Sequence, residues 1–186
     1  SGADVGNYSI SNHSTITADV AVKALTATAS TANKVYDASN TATTSLTFSG
    51  LIGTETLGQT VGSTFDNKNV GTGKTVTVNS ITLADGSNGG LAANYSISPG
   101  QTSTANITAK ALTASVSAAN KVYDSTTLAN TTLSLSGLIG SETLNITANS
   151  TFDNKNIGSG KTVTVNSITL TDGTNGGLAS NYTIAT

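Results

Sequence analysis

Few side chains in this chain can do chemistry. His13 is the only histidine, and the position 87 residues further on, where a recurring site would need its partner, is Gly100. A repeated Ser-His-Asp or histidine acid–base site is thereby excluded, and His13 reads as a solvated turn residue. The absence of cysteine removes disulfides, thiolate metal sites, iron–sulfur clusters and thiol nucleophiles. Carboxylates do recur at that spacing: Asp37, Glu55, Asp66 and Asp85 return as Asp124, Glu142, Asp153 and Asp172. A carboxylate pair could serve acid–base work, but Asp37 and Asp85 sit beside small residues at strand ends, where capping is the expected role.

Two runs gather oxygen ligands over a short span, Asp66-Asn67-Lys68-Asn69 and Asp85-Gly86-Ser87-Asn88. Neither has the alternating ligands and closing glutamate of an EF-hand loop, and Lys68 would repel a cation, so no metal or other cofactor is expected. Lys68 and Lys155 read instead as exposed hairpin charges that blunt a sheet edge. A covalent alternative is a Lys–Asn crosslink assisted by an acid, for which Lys34 with Asp37 is the pair to suspect. On a strand, however, Lys34 and Tyr36 share one face and Asp37 takes the other. The expected arrangement is Tyr36 on the core with Lys34 reaching to water.

The composition narrows the setting of these residues. All eight basic residues are Lys, ten are acidic, the net charge is −2 and the pI is about 5.1, which leaves no basic footprint for nucleic acid. No apolar run is long enough to insert in a membrane, and Ser1-Gly2-Ala3-Asp4 lacks the basic and apolar regions of a signal peptide. Thr alone contributes 35 residues, and with Ser, Asn, Gly and Ala it favours short strands joined by tight turns over helices.

The elements that must position these side chains come in tandem. Asn33-Lys34-Val35-Tyr36-Asp37 returns as Asn120-Lys121-Val122-Tyr123-Asp124, and 123 − 36 gives a period of 87. Between residues 23–97 and 110–184, 53 of 75 positions are identical without a gap, so these are repeats of one unit. The expected organisation is a C-terminal remnant of a preceding repeat at 1–24, a first complete repeat at 25–111, and a second at 112–186 that ends before its last strand.

Within each unit, alternation predicts strands almost throughout. Ala18, Val20, Val22 and Ala24 alternate with polar residues before the apolar phase jumps to Leu25, and Ile107, Ala109 and Ala111 hand over to Leu112 in the same way. One long strand could therefore serve two neighbouring cores and make a stiff junction. Lys74 to Val78 form a strand, and the change of phase to Ile81 and Leu83 predicts a bulge at Asn79-Ser80. Gly50 to Leu57 suggests a turn or one helical turn. The open edge of the second repeat is expected to be covered, either by the N-terminal remnant of another molecule or by a lattice contact.

Several of these segments resemble the YDG-type (MBG-like) tandem repeats of large secreted bacterial proteins related to filamentous haemagglutinins and other two-partner-secretion adhesins. The likeness rests on Lys34-Val35-Tyr36-Asp37, on the run from Phe65 to Lys74 with Val76 and Val78, and on Gly2-Ala3-Asp4-Val5-Gly6-Asn7-Tyr8. The chain departs from the pattern where Ala38 and Ser125 replace the glycine after Tyr-Asp, and where Gly90-Leu91-Ala92-Ala93 precedes Asn94-Tyr95. The resemblance implies a mainly β fold of elongated modules, sandwich or β-grasp-like, with at most one short helical turn per repeat. It implies no catalytic residues, so the motif residues Lys34, Tyr36, Asp37, Lys121, Tyr123, Asp124, Asn94, Tyr95, Asn181 and Tyr182 are assigned structural roles.

It further implies a non-enzymatic stalk of a secreted adhesin on the bacterial cell surface, with neighbouring repeats of the same chain as partners. The alternative is a module that itself binds a host or cell-surface glycan or a sister adhesin in a biofilm. Such a module calls for an exposed aromatic platform or polar cluster, and only eight aromatic residues, three Phe and five Tyr, are available.

Overall fold

The computed structural model describes residues 15–184. It is mainly β. The first repeat runs through Lys23–Ala24 (β1), Thr26–Thr31 (β2), Lys34–Val35 (β3), Thr41–Ala42 (β4), Thr44–Ser49 (β5), Leu57–Phe65 (β6), Gly71–Asp85 (β7), Tyr95–Ser96 (β8) and Thr102–Thr108 (β9). The second continues with Lys110–Ala118 (β10), Thr131–Ser136 (β11), Leu144–Phe152 (β12), Val163–Asp172 (β13) and Tyr182–Ile184 (β14).

In the first repeat β2 pairs with β5, while a larger sheet has the order β3-β9-β7-β6-β4. The long hairpin β6–β7 carries the alternation that the sequence shows: Lys74, Val76 and Val78 are buried on one phase, facing Ser63 and Phe65. Asn79 is then left unpaired between Ser63↔Val78 and Gly62↔Ser80. That single extra residue moves Ile81 and Leu83 onto the core phase, as the predicted bulge requires. Ser63 is buried without cost to the sheet because its hydroxyl donates to Ala42 O at 3.0 Å and lies 2.8 Å from Thr44 Oγ1.

Each repeat has one short 3-10 turn, at Ala92–Asn94 and at Ala179–Asn181. It does not fall at Gly50–Leu57, where Gly50 and Gly53 both adopt positive φ and reverse the chain in a turn instead.

The handover between repeats is also placed differently from the expectation. Ala105 and Ile107 are buried in the first repeat and Leu112 in the second, whereas Ala111 is exposed. The change of phase occurs at Ala109, the residue between β9 and β10, since passing from an odd to an even register needs one residue outside the ladder. At the other end, Ala18, Val20, Val22 and Ala24 do not bury a face. Residues 15–22 form no strand and are exposed, Ile16 to 94% and Val20 to 99%.

Candidate functional site at the repeat junction

The local unit of the site is the turn that follows β3. Ala38 has φ 62° and its counterpart Ser125 has φ 65°, so each stands in the left-handed region at the position after Tyr-Asp. That reversal brings Asp37 back to Lys34, which overturns the expectation that the two lie on opposite faces. Lys34 Nζ lies 2.7 Å from Asp37 Oδ1 and donates to Ser39 O, Ser39 Oγ and Thr41 O. It also stands 5.7 Å from the Phe65 ring centre. Lys34 is therefore folded back onto the turn, with its side chain 18% exposed, and no Asn is among its hydrogen-bond partners. Lys121 repeats the arrangement with Asp124 at 2.8 Å and with Phe152. The hydrogen bond from Lys121 and the Thr126 N–H hold the Asp124 carboxyl down at about 2.

A left-handed Ala or Ser carries about 1–2 kcal/mol of steric strain that Gly avoids. Ser125→Gly is therefore expected to raise the stability of the second repeat by about 1 kcal/mol, read from its denaturant midpoint. Ala38→Gly should gain less, because the Ala38 methyl packs on the core. A loss of stability in Ser125→Gly would contradict the strain argument.

The loop Phe65–Lys74 is closed by a second lysine. Lys74 is buried and lies 2.7 Å from Asp66 Oδ1 and 2.9 Å from Asn67 Oδ1. Lys161 does the same with Asp153 at 2.8 Å and Asn154 at 2.6 Å. The oxygen cluster considered for calcium thus already receives an ammonium group from its own chain. Asp85 and Asp172 serve as caps, accepting the N–H of Ala92 and Ala179 at 2.8 and 2.7 Å.

These local units converge where the second repeat meets the first. Tyr36, only 1% exposed at the end of β3, stacks edge-on against Tyr182 with ring centres 5.4 Å apart. Both hydroxyls donate to Glu142, Tyr36 to Oε1 at 2.7 Å and Tyr182 to Oε2 at 2.6 Å. Tyr182 in turn accepts the Ile139 N–H at 3.1 Å, which ties the network to the Gly137–Gly140 turn. Lys68 approaches Glu142 to 3.5 Å, so it is a junction residue and not a hairpin charge guarding an edge. Fully buried Asn181 accepts from Val70 N at 2.9 Å and donates to Asn69 Oδ1 at 3.2 Å.

The same residues one repeat away show what the junction adds. Tyr123 is 54% and Ile157 89% exposed, where Tyr36 is buried and Val70 packs on the core. Asn94 is exposed where Asn181 is buried. Tyr95 still donates to Glu55 within its own repeat and still accepts from Ile52 N. Each repeat therefore carries a tyrosine–glutamate–asparagine pole and, at its opposite end, a Tyr-Lys-Asn surface that receives such a pole. The recurrence of Glu55 as Glu142 in so weakly charged a chain was the available signal for this role.

Burial pushes the Glu142 carboxyl up, but hydrogen bonds from Tyr182 and Tyr36, with Lys68 beside them, more than reverse this and leave it below its ordinary value. Burial and the same carboxylate raise the Tyr36 and Tyr182 hydroxyls. A depressed carboxyl contributes stability that is present above its unfolded value of 4.5 and lost as pH falls through the folded one. The stability difference between the parent chain and Glu142→Gln is accordingly expected to shrink as pH drops from 6 to 3, read by urea titration. A difference that stays constant over this range would refute the linkage. The comparison cancels Asp37, Asp66, Asp124 and Asp153, whose carboxyls are also held down by lysines.

No group of three or more His, Cys, Asp or Glu residues able to hold a metal ion occurs among the described residues. No curated protein and no solved structure matches the chain. The family model described as YDG domain matches twice, over residues 21–105 and 108–186. The turn after Tyr-Asp, the lysine-closed loops and the asparagine–tyrosine pole thus recur in two successive matches, and the chain belongs to the YDG-domain family.

Proposed function

We propose that this chain is a structural stalk or spacer segment of a large secreted bacterial surface adhesin of the filamentous-haemagglutinin-like, two-partner-secretion kind, with no enzymatic activity. Its task is to hold an adhesive domain away from the cell. The observation that carries this reading is the junction: Tyr36, Glu142, Asn181 and Tyr182 are buried where successive repeats meet, the two tyrosine hydroxyls donating to Glu142 and Asn181 bonding to Val70 N and Asn69. A buried, satisfied polar network specifies one orientation of its neighbours, which is what a stiff spacer needs. The joint also uses residues that each repeat carries, so the same contact can be made again and again along an array.

Small-angle scattering on dilute monomer tests the reading. A radius of gyration of roughly 21–23 Å with a narrow distance distribution is expected, against about 16 Å for a single compact domain of this length. A value near 16 Å, or the broad distribution of a hinge, would overturn the spacer reading.

A further inference from the structure

Among the described residues Lys34 hydrogen-bonds to no asparagine, but Lys74 does. Lys74 opens the buried phase of β7 with its side chain only 8% exposed, and its Nζ lies 2.7 Å from Asp66 Oδ1 and 2.9 Å from Asn67 Oδ1. The hydrogen bond from Asp66 N to Thr75 O, at 3.0 Å, closes the loop between β6 and β7 beside them. Gly71 leaves room for the lysine stem, since a Cβ there would stand 3.2 Å from Lys74 Cγ and Cδ. The ammonium group is thereby held against one carboxylate and one carboxamide.

The cluster contains more than an ion pair. The Asn67 carbonyl oxygen also accepts the Asn69 N–H at 3.0 Å, a backbone donor placed where negative charge gathers when a carboxamide carbon is attacked. Lys74 Nζ is within about 4.1 Å of Asn67 Cγ, because the C=O bond adds at most about 1.2 Å to the 2.9 Å contact. A small rotation of the carboxamide then brings the nitrogen to attacking distance. Asp66, bonded to the same Nζ, starts as a carboxylate, since the hydrogen bond from Lys74 holds its carboxyl down. Lys161 repeats the set, with Asp153 at 2.8 Å, Asn154 Oδ1 at 2.6 Å and the Asn156 N–H donating to Asn154 Oδ1 at 3.0 Å. The constellation therefore belongs to the repeat and not to one loop.

We propose that Lys74 and Asn67 join in an intramolecular amide bond, with Asp66 as the proton carrier. Asp66 accepts one proton from the Lys74 ammonium, and the neutral amine forms a bond to Asn67 Cγ, displacing the carbonyl electron pair onto Oδ1, where the Asn69 N–H meets it. Asp66 passes its proton to the Asn67 side-chain nitrogen, the Cγ–Nδ2 bond breaks as the carbonyl re-forms, and ammonia leaves. The attacking nitrogen gives its surplus proton to Asp66, which hands it to the departing ammonia and ends as the carboxylate it began as. A lysine ammonium and an asparagine carboxamide are consumed; a secondary amide and an ammonium ion are produced. No oxidant or co-reactant is needed.

The bond has a structural consequence at the joint between repeats. Lys68, Asn69 and Val70 lie between Asn67 and Lys74, and they are the residues that meet Glu142 and Asn181. A covalent tie across the base of that loop fixes the surface on which the next repeat sits. The crosslink does not depend on the adhesin-stalk reading.

Mass spectrometry of the folded chain tests it. The intact mass is expected to fall below the sequence mass by about 17 Da, one ammonia, for each bond formed. Trypsin cuts after lysine, so a linked Lys74 stays uncut and residues 35–68 and 69–110 emerge joined as a branched species. Asp66→Asn removes the proton carrier at a side chain that is 48% exposed, and should abolish the branch while the circular dichroism spectrum stays that of the parent. Should that variant unfold, the digest of the unsubstituted chain decides by itself. Release of peptide 69–74 from all of the unsubstituted chain, or a branched species in folded Asp66→Asn, would overturn the proposal.

Discussion

Glu142→Ala is expected to cost about 3 kcal/mol, and Glu55→Ala, the same change one repeat earlier, only about 1. Glu142 is 7% exposed and accepts two tyrosine hydroxyls, with Lys68 at 3.5 Å. Removing it strands the buried Tyr36 and Tyr182 hydroxyls and withdraws the carboxylate from Lys68, at about 1–3 kcal/mol for each buried group left unpaired. Glu55 is half-buried, and among the described residues Tyr95 alone donates a side-chain hydrogen bond to it. Water can replace it there. Urea unfolding monitored by NMR, with resonances from each repeat followed separately, measures both costs. The Glu142 change should also reduce the coupling between repeats, so that they lose cooperativity. Equal costs for the two substitutions would show that the contact across the junction contributes nothing.

The second large effect concerns β9, which has no counterpart in the second repeat among the described residues. Phe65→Ala is expected to cost about 3–5 kcal/mol and Phe152→Ala less than about 2. Phe65 is 2% exposed beneath Lys34 and within a core that includes Tyr36, Val76, Ala105 and Ile107. Its truncation leaves a cavity that the flanking strands cannot fill. Phe152 faces the open cleft, where water already touches the ring, so less transfer energy is lost. Thermal or urea denaturation of dilute monomer tests the pair. If both changes cost the same at low concentration, β9 is not what closes the core.

Much of the fold was legible in the residues because period-two alternation writes itself directly into sequence. The strand from Lys74 to Val78, the bulge at Asn79 and the capping by Asp85 and Asp172 all follow from side-chain phase and local hydrogen bonding, which involve residues close along the chain. The 87-residue period was legible for the same reason. Other readings failed because they needed information that side-chain type conceals. Nothing in the letters of Ala38 or Ser125 announces a positive φ, and without it Asp37 falls on the wrong side of the strand from Lys34. The phase change at Ala109 was misplaced because Ala111 and Leu112 look alike in pattern, and only packing shows which one enters a core.

The junction itself was decided at the tertiary level. Tyr36 and Tyr123 have the same neighbours in sequence, as do Asn94 and Asn181, yet one of each pair is buried and the other exposed. Sequence determined that every repeat has a carboxylate, an asparagine and two tyrosines at fixed offsets. Which of them meet depends on a contact between residues as far apart as Tyr36 and Glu142, and that contact exists only when two repeats stand end to end with β9 running into β10.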